Sequence, residues 1–127
     1  MADDNSTTEI ERAAFLAGYA AGDEAVRFAS TEIDSYDTWR AKGCPVFAYE
    51  CWMYPVVSSN LAALGWYPNV DGGRLIVRFV SGTVGEYRCV PRELYDRLLA
   101  ADSKGVFFSA EIRKQANKYP YRALEPK

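Results

Sequence analysis

The chain has 127 residues, 49% hydrophobic and 14% aromatic, with a formal net charge of −2. This length predicts one domain, or one domain with an appendage, and the apolar content is sufficient for a core. No run reaches the roughly 20 apolar residues of a membrane span, and the N-terminus has no signal-peptide pattern, so we expect a cytoplasmic protein with no membrane partner.

The histidine and cysteine content argues against several classes of catalytic and metal site. The chain has no histidine, which removes the commonest general base and triad member. Cys44, Cys51 and Cys89 form no close-spaced pair, so a structural zinc site is not expected and plain buried thiols are favoured. We therefore predict a non-enzymatic protein with no catalytic residue, metal or cofactor.

The charge is unevenly distributed along the chain. Residues 1–53 carry ten acids and four bases, whereas residues 54–127 carry seven acids and eleven bases. Such a split is typical of two structural units with different surfaces. We predict an acidic unit over 1–53 and a basic unit over 54–127.

The first unit reads as two helices and a connector. Ser6 and Glu9 have the spacing of a capping box, which opens a helix to about residue 21. A second helix is predicted over 24–42, ended by Gly43, so the two helices are expected to form a hairpin. The apolar segment 44–54 is predicted to be a connector with a short extended piece that buries Phe47 or Trp52.

The second unit begins with three strands. The segment 56–67 is predicted to contain a strand, followed by a hairpin over 74–90. A three-residue loop at 81–83 would place Tyr87 inward with Val77, and Arg78 opposite Glu86 on the other face. A two-residue loop would instead place Glu86 beside Val77 and bury its charge against apolar groups.

Two helices follow the strands. Pro91 is well placed to begin a helix over 91–101, and Ser109 is predicted to cap a last helix that runs to about 118. The predicted fold class is α+β: a three-stranded antiparallel meander with two C-terminal helices, preceded by the N-terminal helical hairpin.

Several separated motifs in the second unit agree in order and distance with a known module. They are Val57-Ser-Ser-Asn-Leu, Leu64-Gly-Trp-Tyr, Ser81-Gly, Val90-Pro, Ala101-x-Ser-Lys-Gly, Phe107-Phe and Ile112-Arg. Over about residues 54–124 the chain resembles the KTSC domain, a module named from the C-terminus of some lysyl-tRNA synthetases that also occurs alone in bacterial and phage proteins. The resemblance implies a cytoplasmic protein of a bacterial host, and its attachment to a synthetase suggests RNA binding.

The chain departs from the pattern of this family at two positions. The family has Tyr-x-Tyr in the second strand of the hairpin, where this chain has Gly85-Glu86-Tyr87. It often has asparagine where this chain has Ser109. The N-terminal helical segments are similar to the leading segments of small tailed-phage proteins.

Basic residues supply the first set of candidate contacts. Arg74, Arg78 and Arg88 are predicted on one face of the hairpin, where they could follow a phosphate backbone. The basic residues of the last helix, expected nearby, are Arg113, Lys114 and Lys118. The alternative is an ordinary solvated face with interspersed salt bridges.

Two polar motifs supply the second set. Ser58, Ser59 and Asn60 could present hydroxyl and amide groups to a ligand, or could fix the entrance of a strand through local bonds. Lys104 could contact an anion, or simply lie in the turn that ends a helix.

The sequence leads to two functional hypotheses. The first is a phage- or prophage-type protein that binds RNA or another polyanion through the basic face of its KTSC-like unit. The second is a protein-interaction or anti-defence factor that engages a host protein or sequesters a small nucleotide. The oligomeric state is left open, because Phe47, Trp52 and Trp66 could form an apolar association surface.

Overall fold

The computed structural model describes residues 28–29 and 31–126. Within them, six strands form one antiparallel sheet in chain order, accompanied by three helices. The strands are β1 (Val46–Ala48), β2 (Cys51–Pro55), β3 (Leu61–Asn69), β4 (Gly72–Phe79), β5 (Val84–Arg88) and β6 (Tyr121–Leu124). The helices are α1 (Tyr36–Ala41), α2 (Arg92–Ala100) and α3 (Lys104–Phe108), and a π-helical turn, Ser109–Arg113, continues α3. The α+β class is confirmed, but the predicted three-stranded meander is only the centre of a larger sheet.

The predicted connector is in fact a hairpin. Ala48 pairs with Cys51 across a two-residue turn formed by Tyr49 and Glu50, whose φ angles are 56° and 67°. Positive φ at both positions gives the turn a twist that suits a tight hairpin. The predicted unit boundary after residue 53 falls inside β2, which pairs with β3.

The loop between β4 and β5 has the predicted length but starts one residue earlier. The backbone N–H of Phe79 donates to the Thr83 carbonyl at 2.8 Å, so the loop is Val80, Ser81 and Gly82 rather than 81–83. Gly82 ends it with a φ of 98°, a conformation that glycine adopts at little cost.

This placement shifts the strand pairing by two residues. Leu75 lies opposite Tyr87, and Arg78 lies opposite Val84, so the predicted pair of Arg78 with Glu86 is wrong. Because the shift is even, each side chain keeps its predicted face. Tyr87 is therefore inward as expected, at 5% exposure.

One face of the sheet packs against the C-terminal helices and forms the main core. Its strand residues include Leu64, Trp66, Leu75, Val77 and Tyr87, and its helix residues include Leu94, Leu98, Phe108 and Ile112. Burying each large side chain contributes about 1.5–3 kcal/mol, so this face holds α2 and α3 firmly in place.

The other face is not the solvated surface that the sequence predicted. The Tyr49 hydroxyl donates to the Glu125 carbonyl at 2.9 Å, which links the β1–β2 turn to the end of β6. The sheet therefore curls until its first and last strands approach. The apolar residues buried on this side include Cys51, Met53, Ala63, Tyr67, Ile76 and Val84.

The helices before the sheet differ from the prediction. Residues 28–29 and 31–32 are helical, the helix stops at Ile33, and Ser35 caps α1 by accepting from the Thr38 N–H at 3.1 Å. The predicted continuous helix over 24–42 is thus interrupted, because Ser35 offers a better start for a new helix than a place inside one. The predicted helix over 6–21, and with it most of the predicted hairpin, lies outside the described residues.

The C-terminal helices are present with shifted bounds. α2 follows Pro91 as predicted. The next helix begins after Ser103, whose hydroxyl accepts from the Val106 N–H at 3.4 Å, so its N-cap is Ser103 and not Ser109 as predicted. Among the described residues, no helix has the length and apolar character needed to cross a membrane.

Candidate ligand-binding cleft

Two motifs that are far apart in sequence meet at one end of the sheet. A Cβ atom added to Gly105 would lie 2.7 Å from Asn60 Oδ1 and 3.2 Å from Ser58 Oγ. Only glycine leaves room for this approach, since real Cβ contacts under 3.0 Å essentially do not occur. The segment before β3 and the start of α3 therefore form one site.

The segment before β3 is held by its own side chains. Ser58 Oγ donates to Asn60 Oδ1 at 3.1 Å and accepts from the Leu61 N–H at 3.3 Å. This is the local role that the sequence offered as an alternative, and it also fixes the direction of the Asn60 amide. Ser59, between them, is exposed.

On the helical side, Lys104 also has a local bond. Its Nζ donates to the Ala101 carbonyl at 3.1 Å, and the residue is half-buried. An ammonium group has three donors, so this bond leaves donor capacity for a ligand.

These two segments enclose a cleft of about 630 Å³, which we call the polar cleft. Its polar lining residues are Ser58, Ser59, Asn60, Asp102, Ser103, Lys104, Ser109 and Lys114. Two ammonium groups face one carboxylate, so the cleft favours an anionic or strongly polar ligand.

A second cavity of about 780 Å³ adjoins it and shares Ser59 and Asn60 as a common wall. We call it the aromatic cavity, and its principal walls are Phe79, Tyr87, Arg113, Tyr119 and Tyr121. Its size and mostly apolar lining with a few polar groups resemble those of small-molecule sites.

The π-helical turn supplies residues to both cavities. The Lys114 N–H donates to the Ser109 carbonyl at 3.1 Å, a bond that spans five residues. Ser109 and Lys114 line the polar cleft, while Arg113 lines the aromatic cavity. Such turns often occur at functional sites, because the wider turn re-aims side chains that an α-helix would direct elsewhere.

Tyr121 fills the space beside Gly85, where the KTSC pattern has a tyrosine. A Cβ added to Gly85 would collide with the Tyr121 ring. The two rings of Tyr121 and Tyr87 have centroids 5.0 Å apart at an angle of 51°. β6 thus brings an aromatic side chain to a position where β5 has none.

The arginines predicted on the open face of the hairpin do not join this site. The Arg74 side chain is 12% exposed, pairs with Asp71, and has its Nε 3.8 Å from Glu86 Oε2. Its guanidinium holds the pKa of the Asp71 carboxyl below its ordinary value. Glu86 also lies 3.3 Å from Arg122, so Asp71 and Glu86 offset the charges of Arg74 and Arg122.

The remaining predicted contacts lie elsewhere. Arg78 is half-buried on β4 and Arg88 is exposed at the end of β5, and neither lines the two cavities. Lys118 lines a smaller groove with Glu93 and Arg97. Of the predicted contact residues, the structure brings together Ser58, Ser59, Asn60, Lys104, Arg113 and Lys114.

Sequence reasoning missed the aromatic members of the site. Tyr121 belongs to a strand that the pattern did not reveal, and Phe79 was assigned to the core. The one available signal was the glycine at position 85. A glycine inside a strand often indicates that another group occupies the space where its side chain would lie.

The cysteines show no arrangement for chemistry. Cys51 is buried, and burial raises the pKa of its thiol, which makes the nucleophilic thiolate scarce. Cys44, which lies between α1 and β1, is exposed, contrary to the expectation of a buried thiol. The described residues contain no group of three or more side chains suited to hold a metal ion.

Comparisons with known proteins identify one domain family. The KTSC domain family matches residues 57–119. A protein of Tsukamurella paurometabola is 39% identical over 61 residues, which cover 48% of this chain and 88% of that protein. The crystal structure of a KTSC domain protein from Yersinia pestis is similar with a TM-score of 0.51 and 29% identity, covering 57% of this chain and 96% of that one. The matched segment contains both halves of the polar cleft, and residues 57–119 of this chain form a KTSC domain.

Proposed function

We propose that this protein is a non-enzymatic binder of single-stranded RNA that holds the RNA backbone in the polar cleft. The observation that carries the proposal is the meeting of Ser58–Asn60 with Lys104, Ser109 and Lys114 around one cleft. A phage or prophage origin and a place in the cytoplasm of a bacterial host belong to the same proposal and rest on the sequence alone.

The chemistry of the cleft suits a phosphodiester backbone. Protein contacts to phosphate and sugar come mostly from lysine, arginine, serine, threonine and asparagine side chains. Lys104 and Lys114 supply charge, while Ser59 and Ser109 supply hydroxyl donors on opposite walls. Asp102 reduces the net charge, so we expect moderate affinity with a shallow dependence on salt.

The size of the cleft favours a single strand. A cleft of about 630 Å³ is in the range of sites for small molecules, so it can hold one or two nucleotides. A duplex is recognised across a much wider surface, and the balanced charges around Arg74 and Glu86 do not provide one.

The same cleft leaves a second function open. Val57 and Val106 line its rim and are 99% and 69% exposed, which favours contact with a host protein. Sequestration of a free nucleotide is also compatible with the volume. Affinity that grows with oligonucleotide length supports the RNA proposal, whereas equal affinity for a mononucleotide supports sequestration. A protein partner that survives nuclease treatment supports the contact with a host protein.

The proposal is tested by fluorescence anisotropy with a labelled ten-residue oligouridylate at several salt concentrations. Lys114→Ala should weaken binding about tenfold and reduce the slope of log K against log salt by about one, because one phosphate contact is lost. Lys118→Ala is the matched control, since Lys118 has the same charge but lines another groove. Absence of binding to any single-stranded RNA at about 50 mM salt would end the proposal.

A further inference from the structure

We propose that the aromatic cavity is a subsite for one nucleobase, with Tyr121 of β6 as its stacking platform. This inference rests on the proposed function, because it places the base of a nucleotide whose phosphate lies in the polar cleft. Ser59 and Asn60 belong to both cavities, so a nucleotide can cross their shared wall.

Exposure identifies the stacking residue. Tyr87 is only 5% exposed and packs edge-on against Phe108 at 5.4 Å, so it forms the floor of the cavity. Tyr121 is 47% exposed and therefore presents ring surface to a ligand. A base that stacks on an aromatic ring contributes affinity whatever its sequence, because every base has a π face.

Arg113 provides the cationic part of the cavity. Its guanidinium lies 5.9 Å from the ring centroid of Phe79, in the position of a cation–π contact. The group is planar and the residue is exposed, so its outer side is available to a base or to a phosphate. Arginine planes stack on unpaired RNA bases in the same way as aromatic rings.

Polar groups at the mouth of the cavity complete the subsite. Ser81 and Thr83 from the β4–β5 loop line it, and their hydroxyl oxygens are 3.2 Å apart. Asn60 offers an amide from the opposite side. The described residues that line this cavity include no carboxylate to repel the phosphates of a bound strand.

The experiment compares two ten-residue oligomers on the full chain: oligouridylate and an abasic oligomer with the same sugar-phosphate backbone. The intact protein should bind oligouridylate about tenfold or more tightly than the abasic oligomer. Tyr121→Leu should remove most of this difference and leave the affinity for the abasic oligomer unchanged. Tyr121→Phe, which keeps the ring, should restore it.

Matched controls test the specificity of these effects. Tyr36→Leu removes a tyrosine of α1 that lines neither cavity, and it should leave both affinities unchanged. Arg113→Ala should weaken binding of oligouridylate. Arg97→Ala is its control and should not weaken binding. The Arg97 guanidinium also lies over an aromatic ring, 5.4 Å from the centroid of Phe107, but Arg97 lines another groove. Urea unfolding of each variant identifies any loss caused by misfolding.

The outcomes separate the subsite from the function on which it rests. Equal binding of both oligomers by the intact protein would overturn the subsite and leave RNA binding through the backbone standing. Unchanged discrimination by a folded Tyr121→Leu variant would also overturn it. Failure to bind either oligomer would overturn both the subsite and the proposed function.

Discussion

Gly105 determines how closely the two halves of the polar cleft approach each other. It lies in the first turn of α3, where alanine would be a better helix former by about 1 kcal/mol. The position nevertheless requires the smaller residue, because Asn60 Oδ1 occupies the space of a Cβ atom. The geometry of the site thus depends on a residue that weakens its own helix.

Gly105→Ala should damage binding more than stability. The gain in helix propensity offsets part of the roughly 1–3 kcal/mol that overpacking costs, so we expect the free energy of unfolding to fall by less than about 2 kcal/mol. Displacement of the Asn60 amide should lower RNA affinity about tenfold. Urea unfolding and anisotropy measure the two effects, with Val70→Ala as control, since Val70 is exposed and lines neither cavity. Unchanged affinity in this variant would show that the approach of the two segments does not matter.

Tyr87 and Glu86 show which side-chain environments could be predicted from the sequence and which could not. The inward direction of Tyr87 was predicted correctly, because alternation along a strand fixes the face even when the pairing shifts by two. The burial of Glu86 at 5% exposure was not predicted. Its carboxylate is held between Arg74 and Arg122, and Arg122 lies on a strand that the sequence did not reveal.

At the level of elements, Arg92 joins α2 to the helical residues that precede the sheet. Its guanidinium carbon lies 5.3 Å from the ring centroid of Phe28 and 5.4 Å from those of Trp66 and Tyr95. Its Nη1 is 3.6 Å from Glu32 Oε1, within ion-pair distance but beyond a hydrogen bond. The contact with the Phe28 ring and the ion pair with Glu32 therefore make the attachment, while the Trp66 and Tyr95 rings hold the guanidinium in place.

Replacing Arg92 should loosen this attachment. Arg92→Leu is expected to lower the free energy of unfolding by about 1–2 kcal/mol, because several ring contacts are lost at once. Arg97→Leu removes an arginine of the same helix that faces only Phe107 and should cost about 0.5 kcal/mol or less. Urea unfolding of the two variants gives the comparison. Equal losses would show that the three rings around Arg92 add nothing to an ordinary surface contact.

Helices and hairpins that begin or turn at proline, serine or glycine were predictable from the sequence. Elements without such residues were not. Pro91 and the Ser81-Gly82 loop located α2 and the central hairpin within a residue or two. The β1–β2 turn uses Tyr49 and Glu50 with positive φ, which neither residue type indicates. β6 has four residues, too few for alternation to stand out, and it forms only because β5 offers an unpaired edge.

For the whole molecule, the curl of the sheet decides where ligands can bind. The Tyr49–Glu125 bond closes one side of the sheet over a second apolar cluster, and α2 and α3 cover much of the other. The candidate cavities then lie at the end of the sheet, where loops and the π-helical turn meet. Composition and charge predicted an α+β fold with a basic second unit, but this closure depends on contacts between distant segments that no local pattern encodes.

The same closure buries tyrosine hydroxyls, and this predicts how stability depends on pH. Burial raises the pKa of Tyr54, Tyr67, Tyr87 and Tyr95 above the ordinary value, and for Tyr54 its hydrogen bond to Glu32 adds to the effect. Each group keeps its proton in the folded state at a pH where the unfolded chain has lost it. Its contribution to stability is therefore fully present below the unfolded pKa of about 10 and is lost as the pH rises through the folded pKa.

Four such groups should make alkaline unfolding steep. Above about pH 10 each tyrosine lowers the free energy of unfolding by at most about 1.4 kcal/mol per pH unit, so the four together remove at most about 6 kcal/mol per unit. Cys51 adds to this from about pH 8.5, because burial raises the pKa of its thiol as well. Tyr67→Phe should remove one of the four tyrosine contributions and flatten the profile. Urea unfolding at about pH 8, 10 and 11, followed together with tyrosinate absorbance, measures the slope. A Tyr67→Phe variant with the same alkaline slope as the unchanged protein would contradict the account, since the Tyr67 hydroxyl would then ionise equally in the folded and unfolded states.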